Sequence, residues 1–259
     1  MLGDGTPQSP LASAATVLLR DSHAGVEVLL IQRHPQSDVL GGAYTFPGGK
    51  VDGADFAAGT GLIEQAQTLH QTLAEVAIAP ALAVALHVAA LRELHEEAGI
   101  SGLSITQLVP WARWITPTAS RRMPRHFDAR FFVARLPVGQ QAAHDQHEAV
   151  SSAWFTPAGA LLEFEAGRAQ LAPPQLMTLL ELATHRTVDE VIAAGRGRAP
   201  LHIQPVATVE GSQELICFPG DAHHPVANRH LPGPTRLTWR DGRFQFDTPL
   251  DRLLPALCG

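Results

Sequence analysis

Arg92-Glu93-Leu94-His95-Glu96-Glu97-Ala98-Gly99-Ile100 is the stretch on which the reading of this chain turns. On a helix, residues three and four apart share a face, so Glu93 lies beside both Glu96 and Glu97 and three carboxylates converge. Leu91, Leu94 and Ala98 can then face a core, while His95 points away from the acidic side. Gly99 stands directly after Ala98, a natural C-terminal cap. Three like charges so close repel one another unless a cation sits among them. A hard divalent ion with oxygen ligands, Mg²⁺ above all, meets that need, with substrate phosphates completing its shell. A solvated acidic helix face has the same spacing, so the residues upstream must decide.

Upstream lies Phe46-Pro47-Gly48-Gly49-Lys50-Val51-Asp52-Gly53-Ala54-Asp55. With the acidic helix it resembles the Nudix box, whose pattern is Gly, five residues, Glu, seven residues, then Arg-Glu-apolar-x-Glu-Glu-x-Gly-apolar. The second half agrees at every defined position from Arg92 to Ile100. Gly49 with Asp55 agrees with the first half, Asp standing for Glu. The spacing departs: 36 residues separate Asp55 from Arg92, an insertion of 29. An interrupted box is similar to the branch of Nudix hydrolases that includes the peroxisomal acyl-coenzyme A diphosphatases. The likeness extends to Leu40 through Gly49, to Trp114-Ile115-Thr116-Pro117, to Arg125-His126-Phe127-Asp128, to Leu171-Ala172-Pro173-Pro174-Gln175 and to Phe218-Pro219-Gly220-Asp221.

The resemblance implies roles. Glu93, Glu96 and Glu97 would hold one to three Mg²⁺ or Mn²⁺ ions, with the carbonyl of Gly48 or Gly49 as a further ligand. Arg92 would pair with a box carboxylate and orient it. The general base is Glu148, ahead of a late strand, or Glu93. Arg121, Arg122 and Arg125 could clamp substrate phosphates, because guanidinium matches phosphate geometry. Arg33 occupies the place of an arginine in a coenzyme A signature upstream of the box, and the second arginine of that signature has no counterpart here.

Outward from the box, Ala14–Leu19 and Val26–Gln32 read as strands joined through the turn residues Asp21 to Gly25. Tyr44-Thr45-Phe46 is a short strand running into the glycine loop. Leu62 to Leu94 has helical spacing, and Pro80 opens a second helix that runs to Gly99. Strands follow at Ser104–Trp114, Ala129–Arg135 and Ala149–Phe155. Pro157 opens a further helix, and Gln175–His185 is another. After Arg198 the pieces are short and β-like, and Asp241-Gly242 marks a hairpin. The expected fold is an α/β (αβα) sandwich with a mixed sheet, a helical insertion at about 56–86 inside the box, and a β-rich extension. The expected divisions are a flexible start at 1–13, a Nudix domain over 14–198, and an extension over 199–259 packed on it.

Composition narrows the function. A hydrophobic content of 45% with 17% charged residues is ordinary for a folded chain. The formal charge of −6 argues against nucleic acid, whose backbone is gripped by clustered Lys and Arg. Two cysteines, Cys217 and Cys258, give no disulfide framework and no zinc spacing. No signal peptide precedes the first strand, and the apolar run Ala77–Leu91 is too short for a bilayer. These features point to a cytoplasmic, membrane-free enzyme acting on a small diphosphate compound, with a homodimer possible. The leading substrate is coenzyme A or an acyl-coenzyme A. The alternatives are a diphosphatase for ADP-ribose or a nucleotide sugar, and a Nudix domain kept as a ligand sensor, against which the intact carboxylate trio speaks.

Overall fold

The computed structural model describes residues 9–37, 40–117, 125–142 and 149–258. Strands β1 (Leu11–Ser22) and β2 (Gly25–Arg33) form the expected hairpin. The short β3 (Tyr44–Thr45) and β4 (Gly48–Lys50) carry the glycine loop. Helices α1 (Gly53–Gly59), α2 (Ile63–Leu73) and α3 (Pro80–Ala98) follow. Next come β5 (Val109–Ile115), β6 (Phe127–Arg135) and β7 (Ala149–Phe155), then α4 (Pro157–Glu165), α5 (Pro173–Leu182) and α6 (Val188–Arg196). The remainder is β8 (Leu201–Ile203), β9 (Val206–Glu210), β10 (Gln213–Cys217), β11 (Arg236–Arg240), β12 (Arg243–Gln245) and α7 (Leu250–Cys258).

The main sheet is mixed. Its order is β3-β2-β1-β6-β5-β8, with β4 also on β1 and β7 on β2. β1 runs parallel to β6 and β5 parallel to β8, while the other pairings are antiparallel. Side chains alternate across a strand, and the two faces of the sheet divide accordingly. Ala14 and Leu18 of β1, with Phe132 and Ala134 of β6, meet Leu86, Ala90 and Leu94 of α3. Ala15, Val17 and Leu19, with Phe131 and Val133, meet Leu161 of α4, Leu176 and Leu180 of α5, and Val191 of α6. Helices therefore cover both faces, and the fold is the αβα sandwich. A second, antiparallel sheet, β12-β11-β10-β9, adds Ile216 and Leu237 to the larger core.

Several boundaries depart from expectation. Ser104 does not begin a strand: it caps a 3₁₀ turn, Ile105–Gln107, and Gln107 returns the hydrogen bond to the Ser104 N–H at 2.7 Å. The strand starts only at Val109. Helix α5 ends at Leu182, where the apolar face runs out, rather than at His185. Helix α6 was not anticipated. Thr187 caps it, its hydroxyl accepting from the Glu190 N–H at 3.2 Å, and Val188 and Val191 are fully buried. The segment after Arg198 returns to the main sheet through β8, with Ala112 opposite Leu201 and Trp114 opposite Ile203.

The insertion is ordered and helical. Leu69 of α2 packs on Val84 of α3, beside Ile105. Glu75, at its end, accepts Arg130 Nε at 3.0 Å and Nη2 at 2.6 Å, and lies 3.0 Å from Arg113 Nη1. Asp128 accepts both Nε and Nη2 of Arg113, at 2.7 and 2.8 Å. Arg130 is only 2% exposed, so these alternating charges satisfy a cation that burial alone would not tolerate. Within α3, His87 is fully buried beside the Phe132 ring. Its Nδ1 bonds the Ala83 carbonyl at 2.7 Å and Nε2 has no partner. Burial lowers its pKa from 6.5 to about 4, against that bond.

Candidate active site

Helix α3 ends where the sequence placed its cap: Gly99 takes φ 67°, in the left-handed region that glycine enters freely, and its N–H bonds the His95 carbonyl at 2.9 Å. The last turns then present Glu93, Glu96 and Glu97 beside the glycine loop. The Gly48 N–H donates to Glu97 Oε2 at 2.7 Å. Gly49 stands so close to the Glu93 carboxylate that a β-carbon there would overlap it. This close approach is the physical need for glycine at position 49. Glu93 and Glu97 are buried and Glu96 is exposed.

Across the insertion the two halves of the box meet. Asp52 caps α1 by accepting from Ala54 N and Asp55 N, and Asp55 Oδ2 accepts the Asp52 N–H in return at 2.9 Å. That box aims the Asp55 carboxylate, 1% exposed, at Arg92. Arg92 donates Nε to Asp55 Oδ1 at 2.9 Å and Nη2 to Oδ2 at 3.1 Å. Its Nη1 donates to both Glu93 Oε1 and Glu96 Oε2 at 2.8 Å, and Nη2 also reaches the Lys50 carbonyl at 3.1 Å. The Asp55 hydrogen bonds, more than the nearby Glu93 charge, hold the guanidinium protonated well above its ordinary range.

All of this opens on one cleft, a cavity of about 1020 Å³. Gly48, Gly49, Arg92, Glu93, Glu96 and Glu97 line it, and so does part of every other stretch on which the family resemblance rests up to Gln175. Leu40 to Phe46, Trp114 to Pro117, Arg125 with Phe127, and Leu171 to Gln175 come together there, and Gln175 Nε2 donates to Thr45 Oγ1, 130 residues away, at 3.2 Å. Nothing in local sequence required that convergence.

Comparison with known proteins agrees with it. The family model described as the NUDT19 Nudix domain matches residues 102–182, a span that starts beyond the acidic helix. The acyl-coenzyme A diphosphatase NUDT19 of Xenopus laevis is 24% identical over 234 residues, covering 64% of this chain and 62% of that protein. Its counterpart in Gallus gallus is 24% identical over 275 positions, covering 77% and 73%. A Nudix hydrolase from Alicyclobacillus acidocaldarius shares the fold, with TM-score 0.57 and 21% identity over 74% of this chain and 98% of that one. Over these spans the chain is similar to Nudix hydrolases. Its match spans less than two thirds of the Xenopus relative's length.

Arg33 and Arg125 also line the cleft. Arg121, Arg122 and Glu148 lie outside the described residues. The three box glutamates line the cleft together, and Arg92 Nη1 stands between Glu93 and Glu96, 2.8 Å from an oxygen of each. Nudix hydrolases use a divalent metal, and this donor set fits one: buried carboxylates and a glycine loop of backbone carbonyls are hard oxygen ligands.

One trio among the described residues is tighter, Cys217, Asp221 and His223. It is a poor metal site. Asp221 already accepts Arg236 Nε at 2.7 Å and Nη2 at 2.8 Å, and burial, then Asp221, pushes the Cys217 thiol up to about 12. Cys217 is unpaired with any other cysteine.

Sequence reasoning missed the part of the cleft lined by the C-terminal segment. Pro205, Ile216, Trp239, Gly242, Arg243 and Phe244, all beyond residue 198, line it. The Asp241-Gly242 turn was legible as a hairpin, and no local signal says where a hairpin docks.

Proposed function

We propose that this chain is a divalent-metal-dependent Nudix hydrolase that cleaves the diphosphate bond of coenzyme A or an acyl-coenzyme A, with Mg²⁺ or Mn²⁺ as the metal. The observation that carries the reading is the reassembled box: Asp55 and Arg92 meet across the insertion, and the helix they fix faces the glycine loop on a large cleft. The names of the relatives favour the coenzyme A substrate class.

Glu93, Glu96 and Glu97 would hold the ion, with a Gly48 or Gly49 carbonyl. A bound divalent ion supplies charge neutralisation on the diphosphate and a water of lowered pKa. The chain's own groups supply geometry. Arg92, fixed by Asp55, sets the Glu93 and Glu96 carboxylates, and the Gly48 N–H sets Glu97. Arg33 and Arg125, with Arg121 and Arg122, would grip phosphate oxygens by paired N–H donors. Glu93 or Glu148 would take the proton from water as its oxygen bonds one phosphorus and the P–O bond to the other phosphate breaks. The products are a phosphopantetheine, acylated or free, and adenosine 3′,5′-bisphosphate.

The test is hydrolysis of coenzyme A, ADP-ribose and nucleotide sugars with Mg²⁺ or Mn²⁺, reading out phosphorylated products. Coenzyme A should have the highest kcat/KM, and dephospho-coenzyme A a lower one, because it lacks the 3′-phosphate that cationic groups of the site would hold. Faster turnover of ADP-ribose would move the chain to the general diphosphatases. No turnover of any of them with either metal would favour a ligand sensor.

A further inference from the structure

Of the 19 lysine and arginine residues in the chain, 18 are arginine and Lys50 is the single lysine. It stands in β4, directly after the two glycines of the box, and lines the same cleft as Glu93, Glu96 and Glu97. Side chains alternate across a strand, so Lys50 and Gly49 face opposite sides of the sheet. The β-carbon position of Gly49 is the one that meets Glu93, and Lys50 therefore projects from the other face. Strand pairing shows what shares that face. Lys50 lies opposite Ser13 of β1, Ser13 opposite Ala129 of β6, and Ala129 opposite Trp114 of β5. All four line the cleft. With about 4.8 Å between neighbouring strands, the row spans roughly 14 Å. The lysine stands at one end and the tryptophan at the other, and two small side chains form the floor between them.

We propose that Lys50 is a phosphate-binding residue: its ammonium holds an oxygen of the substrate diphosphate from the sheet face opposite the one that meets Glu93. This rests on the diphosphatase reading above and adds a residue to which that reading gave no role. Three observations carry it. The Lys50 side chain is exposed, and its ammonium makes no hydrogen bond or ion pair among the described residues. Arg92, the other cation of the box, is spent by contrast: its five N–H groups go to Asp55, Glu93, Glu96 and the Lys50 carbonyl. The third observation is the residue type. An arginine at position 50 would offer the glutamates lining the cleft a flat fork, the geometry with which carboxylates pair two-handed. An ammonium is a compact, strongly hydrated point charge that cannot be engaged in that way, and it remains available to a phosphate. In a chain that uses arginine at every other such position, the exception falls where a captured cation would be of no use.

Because the chain has one lysine, amine acetylation reads Lys50 in a single peptide by mass spectrometry, with the N-terminal amine as internal reference. The parent is treated with acetic anhydride in Mn²⁺, alone and with adenosine 5′-phosphate, 4′-phosphopantothenate, adenosine 3′-phosphate or adenosine. Adenosine 5′-phosphate or 4′-phosphopantothenate should slow labelling of Lys50 and leave the reference unchanged, and the one that protects identifies the half of the substrate whose phosphate Lys50 holds. Protection by adenosine or by adenosine 3′-phosphate alone, or by none of the four, overturns the assignment. The kinetic arm uses whichever of coenzyme A and ADP-ribose the parent hydrolyses faster. Lys50→Gln should raise KM at least about ten-fold, the loss of one charge-assisted bond, with Tm unchanged, and Lys50→Arg should recover part of it. A parent-like KM in Lys50→Gln refutes the contact. A parent that hydrolyses neither compound sinks the catalytic reading instead. Labelling then decides Lys50 by itself: protection by either of the first two phosphates supports the assignment, and its absence refutes it.

Discussion

Replacing Asp55 by Asn keeps the side chain's size and removes its charge. The carboxylate accepts two N–H groups from Arg92 and one from Asp52, at 2.9 to 3.1 Å, while 1% exposed. Asn offers a single oxygen, and its NH₂ would point a donor at a donor. Hydrogen bonds to charged groups contribute about 1.5–3 kcal/mol. Stripping one partner from a buried pair costs about 3–5 kcal/mol. The Arg92 side chain is 25% exposed and keeps Glu93 and Glu96, so the lower part of these ranges applies, about 2–3 kcal/mol. For a chain of this size that is a fall in Tm of roughly 5–10 °C. Hydrolysis should suffer more than stability, because the same guanidinium orients two box glutamates. Thermal unfolding and hydrolysis of Asp55→Asn, Arg92→Ala and the double variant form a cycle. We expect a coupling of at least about 1.5 kcal/mol. If the two single effects add to within about 0.5 kcal/mol, the reassembled box has no energetic content and the reasoning fails.

Glu97→Gln retains an oxygen for the Gly48 N–H but loses a ligand charge. Activity should drop by at least about 100-fold with Tm nearly unchanged, and stabilisation by Mn²⁺ should disappear; parent-like kinetics would remove Glu97 from the metal site. Gly49→Ala forces Glu93 off its position, so kcat should fall by more than about ten-fold at a stability cost of about 1–3 kcal/mol; an unaltered rate would contradict the close approach. His87 has its folded pKa lowered to about 4 from 6.5. Its neutral form is favoured by folding, so the contribution is complete above pH 6.5 and is lost as pH falls toward 4, about 3 kcal/mol in all. The Tm of His87→Leu should vary less over that window than the parent's, and an equal slope in both would show that other groups set the acid limit.

The parts of this fold visible in the sequence are those set by short-range chemistry. Gly99 ends α3 because a left-handed residue is needed there, and Thr156 with Pro157 starts α4 by capping the Gly159 N–H at 3.1 Å. The carboxylate spacing of α3 was readable for the same reason. Thr187-Val188-Asp189-Glu190 carries the start signal of α6 just as plainly, with Thr as the cap and acidic residues in the first turn. Ser104-Ile105-Thr106-Gln107 holds a similar capping signature directly before the β-rich residues of β5. What local patterns could not supply is long-range: the parallel pairing of β8 with β5, the Glu75–Arg130 pair and the docking of the C-terminal hairpin all join segments tens of residues apart. The partner of Asp55 belongs with these, since the insertion hides a spacing that space restores.

The insertion inside the box was easy to acquire and is hard to lose. Closing a loop of 36 residues rather than seven costs only about 1.4 kcal/mol more in chain entropy, because that cost grows with the logarithm of length. Excision is another matter. It would take away Glu75, and Arg130, set in the central sheet and sealed from water, would keep only Asp128 to answer its charge. Shortening this loop therefore requires a second change at Arg130. A lineage that has once acquired the segment is held to it by an ion pair remote from the chemistry.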